Sequence, residues 1–361
     1  MYTDTGSDEL YLNRCFELAA KGTGTVTPNP LVGAVLVKNG KMIGEGYHKK
    51  YGDVHAEVDA LNNSRGDASE ATLYCNLEPC CHTNKQTPPC VPLIIKKGIK
   101  KVVISNLDPN PDVSGKGVKQ LREAGIEVII DQLKNEGKEL NKFYYKHTTS
   151  NVPYITLKIA QTTDGKISKS KNEQTWLTGE ESNRFVHQQR AAYDAVLVGA
   201  NTVAVDDPQL NVRNVDGGNL KRIILDGKLS IDLNAAILSA DDIENTWILT
   251  SENADEEKII KITEKGARVI QFSTDDNEQI DLKDILSILG KEKITSLFVE
   301  GGSNIFPQFF EGNYFDEIII LEAPITLGTG VDGIQLSSLN HLKEISSEKI
   351  GKDLKIVYKK K

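Results

Sequence analysis

The order of apolar and polar positions divides the chain into short strands and helices that alternate. After Ser7, a candidate N-cap, Leu12, Cys15, Phe16 and Ala19 recur at helical spacing. "TPNPLVGAVLV" reads as a loop running into a buried strand, and "KNGK" over 38–41 as a tight turn into a second strand, "MIGEGYH". "HAEVDALNN" then turns helical. "ATLYCNL", "VPLIIKKG", "KKVVISN", "GVKQLREAG" and "IEVII" follow as strand, helix, strand, helix and strand. Such alternation predicts an α/β layer sandwich. The stretch "KHTTSNVP" over 146–153 is polar, aperiodic and ends in proline, which predicts a boundary between domains at 1–147 and 151–361. Beyond it "PYITLKIA", "AVLVGA", "KRIILD", "TWILT", "ARVIQF", "SLFVEGG" and "EIIILEAP" are strand candidates, and "ESNRFVHQQRAAYD" reads as a helix. Two α/β domains are expected.

Composition narrows the class. At 361 residues, 39% apolar and 26% charged, the chain is an ordinary globular sequence long enough for two domains. Its 43 basic and 51 acidic residues give a formal net charge of −8, so there is no global basic footprint for nucleic acid. The N-terminus lacks a signal-peptide pattern, and no apolar run approaches the ~20 residues of a membrane span. The expectation is a cytoplasmic protein with no membrane partner, in which clustered cysteines bind metal or react more often than they pair.

Three of the five cysteines, Cys80, Cys81 and Cys90, fall within "LEPCCHTNKQTPPC". His55 and two of them would make a three-ligand zinc site with one position open for water. Glu57, two residues beyond His55, is placed to shuttle a proton between that water and a departing amine. A helix beginning around Pro79 would point its positive end at the thiolates. From the residues alone, plain packing of small cysteines and a closed structural zinc using Cys81 or His82 stay open. Zinc deaminases carry H-x-E followed by P-C-x-x-C. "HAE" and "EPC" fit, but the next separated cysteine is Cys90, beyond a Pro-Pro.

"TPNPLVGAVLV", "GEGYH", "HAE", "LEPCCH", "TPPC" and "DPNPDVSGKG" occur in the order found in the bifunctional riboflavin-biosynthesis deaminase/reductase family, which this sequence resembles. The resemblance implies a cytidine-deaminase-like three-layer sandwich. In it His55, Cys80 and Cys90 would hold zinc, with Glu57 as catalytic acid/base and Cys81 as a packed neighbour. It also implies that Asn29, His48, His82, Lys85, Asp108 and Asn110 line a pocket for a pyrimidine ribose phosphate. Nine residues separate Cys80 from Cys90, one more than the family's usual spacing, which touches the equivalence of residues 83–86.

"QTTDGKIS", "WLTG", "HQQRAAYDAVLVGANTVAVDDPQLNVR" and "FVEGGSNIFPQFF" resemble the reductase half of the same family. A dihydrofolate-reductase-like α/β domain is implied, with NADPH contacts at Ala160, Trp176, Thr202, Asp206, Gly302, Ser303 and Asn304. Substrate contacts are implied at Lys158, Gln174, Arg190, Leu210, Arg213 and Glu300. Read without the resemblance, Gly301-Gly302 is a tight turn or a phosphate approach, and Arg190 and Arg213 are surface charges or anion clamps. Thr162-Thr163 and Gln174 depart from the family pattern, whereas Asp164 and Gly165 are kept. The implied activity is hydrolytic deamination of a diaminopyrimidinone ribose phosphate, then NADPH-dependent reduction of its ribosyl group. A homo-oligomer is compatible with the second domain. Rival readings are a nucleic-acid-editing deaminase, a zinc-stapled nucleotide-binding regulator, and a deaminase joined to a drifted reductase.

Overall fold

The computed structural model describes residues 5–83, 87–213, 215, 220–274 and 280–361. It divides into two compact units, Met1–Asn151 and Val152–Lys361.

The first unit runs α1 (Thr5–Ala20), β1 (Gly33–Lys38), β2 (Lys41–Tyr47), α2 (Ala56–Asn62), β3 (Thr72–Leu77), α3 (Cys90–Lys96), β4 (Lys101–Asn106), α4 (Lys116–Glu123), β5 (Glu127–Ile129), α5 (Lys134–Leu140) and α6 (Lys142–Ser150). Its sheet order is β2-β1-β3-β4-β5, with β1 antiparallel to both neighbours and β3, β4 and β5 parallel. Successive residues of a strand face opposite sides, and both sides are apolar. Val35, Val37, Tyr74 and Val103 meet Leu12, Cys15 and Leu18 of α1. Leu36, Leu73, Cys75 and Val102 meet Ala60, Ile94 and Leu121 of α2, α3 and α4. Three layers result. A Cβ on Gly33 would lie 2.1 Å from the Cys15 carbonyl oxygen, so only glycine lets α1 sit this close to β1. Asn39 and Gly40 both take positive φ, 52° and 71°, as a two-residue hairpin turn demands.

Three sequence expectations are corrected here. Ser7 lies inside α1 and does not cap it. No helix starts near Pro79; the segment is irregular and the helix begins at Cys90, after Pro89. The stretch expected to be aperiodic is helical as far as Ser150. Because α6 buries no residue fully, its sequence lacks the contrast between faces that marks a helix. Long-range contacts anchor it instead: the buried Asn141 accepts from Leu31 N (2.8 Å) and donates to Leu31 O (2.9 Å).

The second unit contains β6 (Tyr154–Thr162), β7 (Lys166–Ser168), α7 (Glu180–Ala192), β8 (Ala195–Gly199), α8 (Ala200–Asp206), β9 (Lys221–Leu225), β10 (Thr246–Ser251), α9 (Glu256–Glu264), β11 (Arg268–Phe272), α10 (Leu282–Lys291), β12 (Ser296–Val299), α11 (Ile305–Glu311), β13 (Glu317–Ala323), β14 (Val331–Asp332), β15 (Leu342–Ile350) and β16 (Asp353–Lys360). Nine strands form one sheet in the order β11-β10-β9-β8-β12-β6-β13-β16-β15, parallel from β11 to β13 and closed by the antiparallel pair β16 and β15. Leu157, Ile159, Leu197, Leu297 and Val299 are fully buried in its core. Each such side chain contributes about 1.5–3 kcal/mol of burial energy. The carboxyl ends of β8, β12 and β6 lie side by side, the place where open parallel sheets receive ligands. Among the described residues no helix is long and apolar enough to cross a membrane.

Candidate active sites

In the first unit a cavity of about 320 Å³ opens over the start of α2 and the end of β3. His55 is the residue before α2, and Glu57 sits in its first turn with the carboxyl buried. Cys80 follows β3, while Cys90 is the first residue of α3. Chain separations of 25 and 35 residues collapse to contact: His55 Nδ1 lies 3.4 Å from both Cys80 Sγ and Cys90 Sγ. All three ligand atoms fall within 4.8 Å of one another. Tetrahedral zinc holds an imidazole nitrogen and a thiolate sulfur about 3.5 Å apart, so this donor set fits zinc in both chemistry and size. The Cys90 backbone N–H donates to Cys80 Sγ at 3.4 Å, which favours the ionised sulfur. Burial, and then the negative charge of Cys80, push the Glu57 carboxyl above its ordinary range. Cys81 is half-buried and packs against the apolar core, as expected of a neighbour.

The other expected residues of this site line the same cavity, except Lys85, which lies outside the described residues. His48 donates from Nδ1 to Val54 O (3.1 Å) and accepts at Nε2 from Asn29 Nδ2 (3.0 Å), so it is the neutral Nδ1–H tautomer. Burial lowers its pKa in keeping with that state. His82 Nδ1 is buried with no hydrogen-bond partner among the described residues. Asp108 Oδ1 accepts from Asn110 N (2.8 Å) and Tyr144 OH (2.9 Å), and burial raises its pKa to about 6. Sequence reasoning missed Tyr144, which reaches the cavity from α6, and Glu78. The buried Glu78 carboxylate accepts from Asp108 N, Gly115 N and Val118 N and fixes the 108–115 loop. Tyr144 lies in no motif, and Glu78, though inside the "EPC" match, shows its role only through these contacts.

The second unit holds a cavity of about 720 Å³. It is lined by Lys158, Ala160, Gln174, Trp176, Arg190, Thr202, Asp206, Leu210, Arg213, Glu300, Gly302 and Ser303, so twelve expected residues converge. Asn304 does not line it: that residue is the exposed N-cap of α11. Gly302 has φ +82°, and a Cβ there would come within 3.0 Å of Thr202 Oγ1. Its lack of a side chain keeps backbone N–H groups open to an approaching phosphate. Glu300, buried at the end of β12, accepts a two-point bond from Arg190 (2.5 and 3.0 Å) and pairs with Lys158 at 3.5 Å. Burial alone would raise Glu300, but these two cations outweigh it and hold the carboxyl below its usual range. Arg190 Nη1 also donates to Asn211 O at 3.2 Å, so its guanidinium is committed within the protein. The Arg213 side chain is exposed, and its backbone N–H donates to Nδ1 of the buried His187 (3.2 Å). His187, which also lines the cavity, escaped the sequence reading because a histidine within a helix has no signature of its own.

Comparison with known proteins agrees with both halves. Residues 5–106 match the cytidine and deoxycytidylate deaminase zinc-binding region, and residues 153–356 match the RibD C-terminal domain. The riboflavin biosynthesis protein RibD of Aquifex aeolicus is 42% identical over 359 residues, covering 98% of each chain. The Escherichia coli protein of that name is 34% identical over 340 residues, covering 91% of this chain and 90% of its own. Among solved structures, Acinetobacter baumannii RibD superposes with a TM-score of 0.87 at 32% identity over 99% of both chains. A Thermotoga maritima diaminohydroxyphosphoribosylaminopyrimidine deaminase/5-amino-6-(5-phosphoribosylamino)uracil reductase gives 0.87 at 35% identity, over 99% of this chain and 100% of that one. The chain belongs to the RibD family of bifunctional riboflavin-biosynthesis enzymes, a zinc-dependent deaminase joined to an NADPH-dependent reductase.

Proposed function

We propose that the first unit deaminates 2,5-diamino-6-ribosylamino-4(3H)-pyrimidinone 5′-phosphate and the second reduces the ribosyl group of the resulting 5-amino-6-(5-phosphoribosylamino)uracil. The observation that carries this is the meeting of His55, Cys80 and Cys90 beside the buried Glu57, with His55, Glu57 and Cys80 lining one cavity. His55 Nδ1 and the two thiolates are the metal ligands. Zinc held there would lower the pKa of water to near 7 and so supply the nucleophile. Glu57 takes a proton from water as the C–O bond forms and delivers it to the departing amine. The C–N bond breaks, ammonia leaves and a ring carbonyl remains. Asn29, His48, His82, Asp108 and Asn110 orient the pyrimidine and its sugar.

In the second unit the ribosylamine opens to an imine; a bound NADPH would supply the hydride that reduces C1′, and a proton taken up from solvent would complete the amine. Ala160, Trp176, Thr202, Asp206 and the Gly302-Ser303 turn form the dinucleotide side of the cavity. Lys158, Gln174, Leu210 and Arg213 face the sugar phosphate, with Arg213 as the available cation. Arg190 and Glu300 hold the floor between them. Five cysteines without disulfides support a cytoplasmic setting. Metal analysis and product identification test the deaminase half. Parent protein is expected to bind one zinc and release ammonia from the diamino compound; Cys80→Ser and Cys90→Ser are expected to lose both. Full zinc retention in either variant would contradict the ligand assignment.

A further inference from the structure

His55 has two ring nitrogens, and only one faces the cysteines. A neutral imidazole carries one N–H, so Nδ1 can offer a lone pair to a metal only when the proton sits on Nε2. At Nε2 the structure places a threonine hydroxyl: Thr87 Oγ1 lies 3.0 Å away. The ring is further held by His48, whose ring stands edge-on at 5.5 Å between centroids. His48 is itself fixed at both nitrogens, by Asn29 and by Val54 O. Thus the orientation of the His55 ring has two supports, the Thr87 hydroxyl at its outer nitrogen and the edge of His48.

We infer that Thr87 is a positioning residue of the metal site: its hydroxyl holds the His55 ring with Nδ1 turned to the space between Cys80 and Cys90, and accepts the Nε2–H that ligation through Nδ1 requires. This rests on the reading of those three residues as zinc ligands. The competing tautomer carries its proton on Nδ1, where both sulfurs at 3.4 Å are acceptors within hydrogen-bond reach. That tautomer closes the metal position; a metal at Nδ1 would exclude it, leaving an Nε2–H for which Thr87 Oγ1 at 3.0 Å is the acceptor. The chain also ties this hydroxyl to a ligand. Pro88 and Pro89 separate Thr87 from Cys90, and Pro89 is extended at φ −65°, ψ 144°. Two consecutive prolines restrict the backbone, so the threonine keeps a nearly fixed offset from the thiolate it serves.

Metal-bound histidines generally donate their second N–H to such an outer partner, and losing the partner costs about 10–100-fold in metal affinity or activity. The test uses the full chain as Thr87→Val, Thr87→Ser and His55→Ala. Zinc affinity is measured by competition with a chromophoric chelator, and the absorption bands of the cobalt-substituted protein report ligand geometry. NADPH oxidation with the deaminated compound, carried out by the second unit, reports that each variant has folded. Valine keeps the shape but not the hydroxyl, so Thr87→Val is expected to bind zinc about 10–100-fold more weakly and to shift the cobalt bands, with Thr87→Ser within about threefold of parent. Parent-like affinity and bands in Thr87→Val, alongside loss of zinc in His55→Ala, would overturn the role of Thr87 and leave the ligand assignment standing. Parent-like affinity in His55→Ala would overturn the ligand assignment, and this inference with it.

Discussion

Arg190 and Glu300, 110 residues apart in the chain, meet in a two-point ion pair of 2.5 and 3.0 Å at the floor of the reductase cavity. Their side chains are only 12% and 7% exposed, and Lys158 closes on the same carboxylate at 3.5 Å. One anion thus balances two cations that would otherwise lie poorly solvated together.

Removing that anion should cost more than the pair itself contributes, because it strands both partners. Glu300→Ala is expected to destabilise the second unit by about 3–5 kcal/mol. Urea unfolding followed by a probe in that unit would show it, while zinc-dependent deamination in the first unit persists at low denaturant. An unchanged midpoint would mean that water already screens the cluster.

The reductase site should weaken in acid through His187. Burial, and then the charges of Arg190 and Arg213, depress its pKa below 6.5, while Glu300 opposes them. A base with a lowered folded-state pKa adds stability above its unfolded pKa and loses it as pH falls, because the unfolded chain takes up the proton first. Protonated Nδ1 also cannot accept from Arg213 N, so the turn that carries Arg213 is released. Reductase KM for the sugar phosphate is expected to rise and the second unit's unfolding midpoint to fall as pH drops from about 6.5 to 5. Both slopes should flatten in His187→Asn, which keeps an acceptor but does not titrate. Equal slopes in the two proteins would exclude His187.

Asp108 carries the opposite sign. Burial raises its pKa from 3.8 to about 6, so its contribution is favourable below pH 3.8 and is lost as pH rises through about 6. Asp108→Asn removes this cost and is expected to stabilise the first unit at pH 7.5 by on the order of 2 kcal/mol, and not at pH 3.5. The same change should raise the KM of deamination, since the carboxylate faces the substrate cavity. Thermal melts at the two pH values decide the first point, and steady-state kinetics the second.

Much of this was legible in the sequence where neighbours along the chain carry the signal. Apolar runs marked β1 to β6 and β8 to β13, leaving out the short β7, because both faces of a largely parallel sheet are covered and its strands read as apolar blocks. H-A-E with E-P-C brought the candidate metal cluster of His55, Cys80 and Cys90 into view despite the unusual spacing. What escaped has a common cause: the information lies across the fold. Tyr144 matters because it meets Asp108, 36 residues away. Asp353, at the start of β16, accepts from Gly179 N (2.7 Å) and Ser182 Oγ (2.6 Å), 171 or more residues back. It caps α7, whose own N-cap glycine offers no side chain. The strand β15 was invisible because most of its residues are exposed, which erases alternation. Asn304 was carried along by the adjoining Gly302-Ser303 stretch, whose two residues line the cavity while Asn304 does not.

The central claim is that two sites in one chain act in sequence, and NADPH consumption measured by absorbance tests it most directly. Zinc-loaded protein given the diaminopyrimidine ribose phosphate is expected to consume NADPH. Glu57→Gln should slow that consumption about 10²–10⁴-fold, the usual contribution of a general acid/base, with zinc still bound. Supplying the deaminated compound to the same variant should restore the full rate. Undiminished consumption of the diamino compound by Glu57→Gln, or none by the parent protein with either compound, would contradict the account.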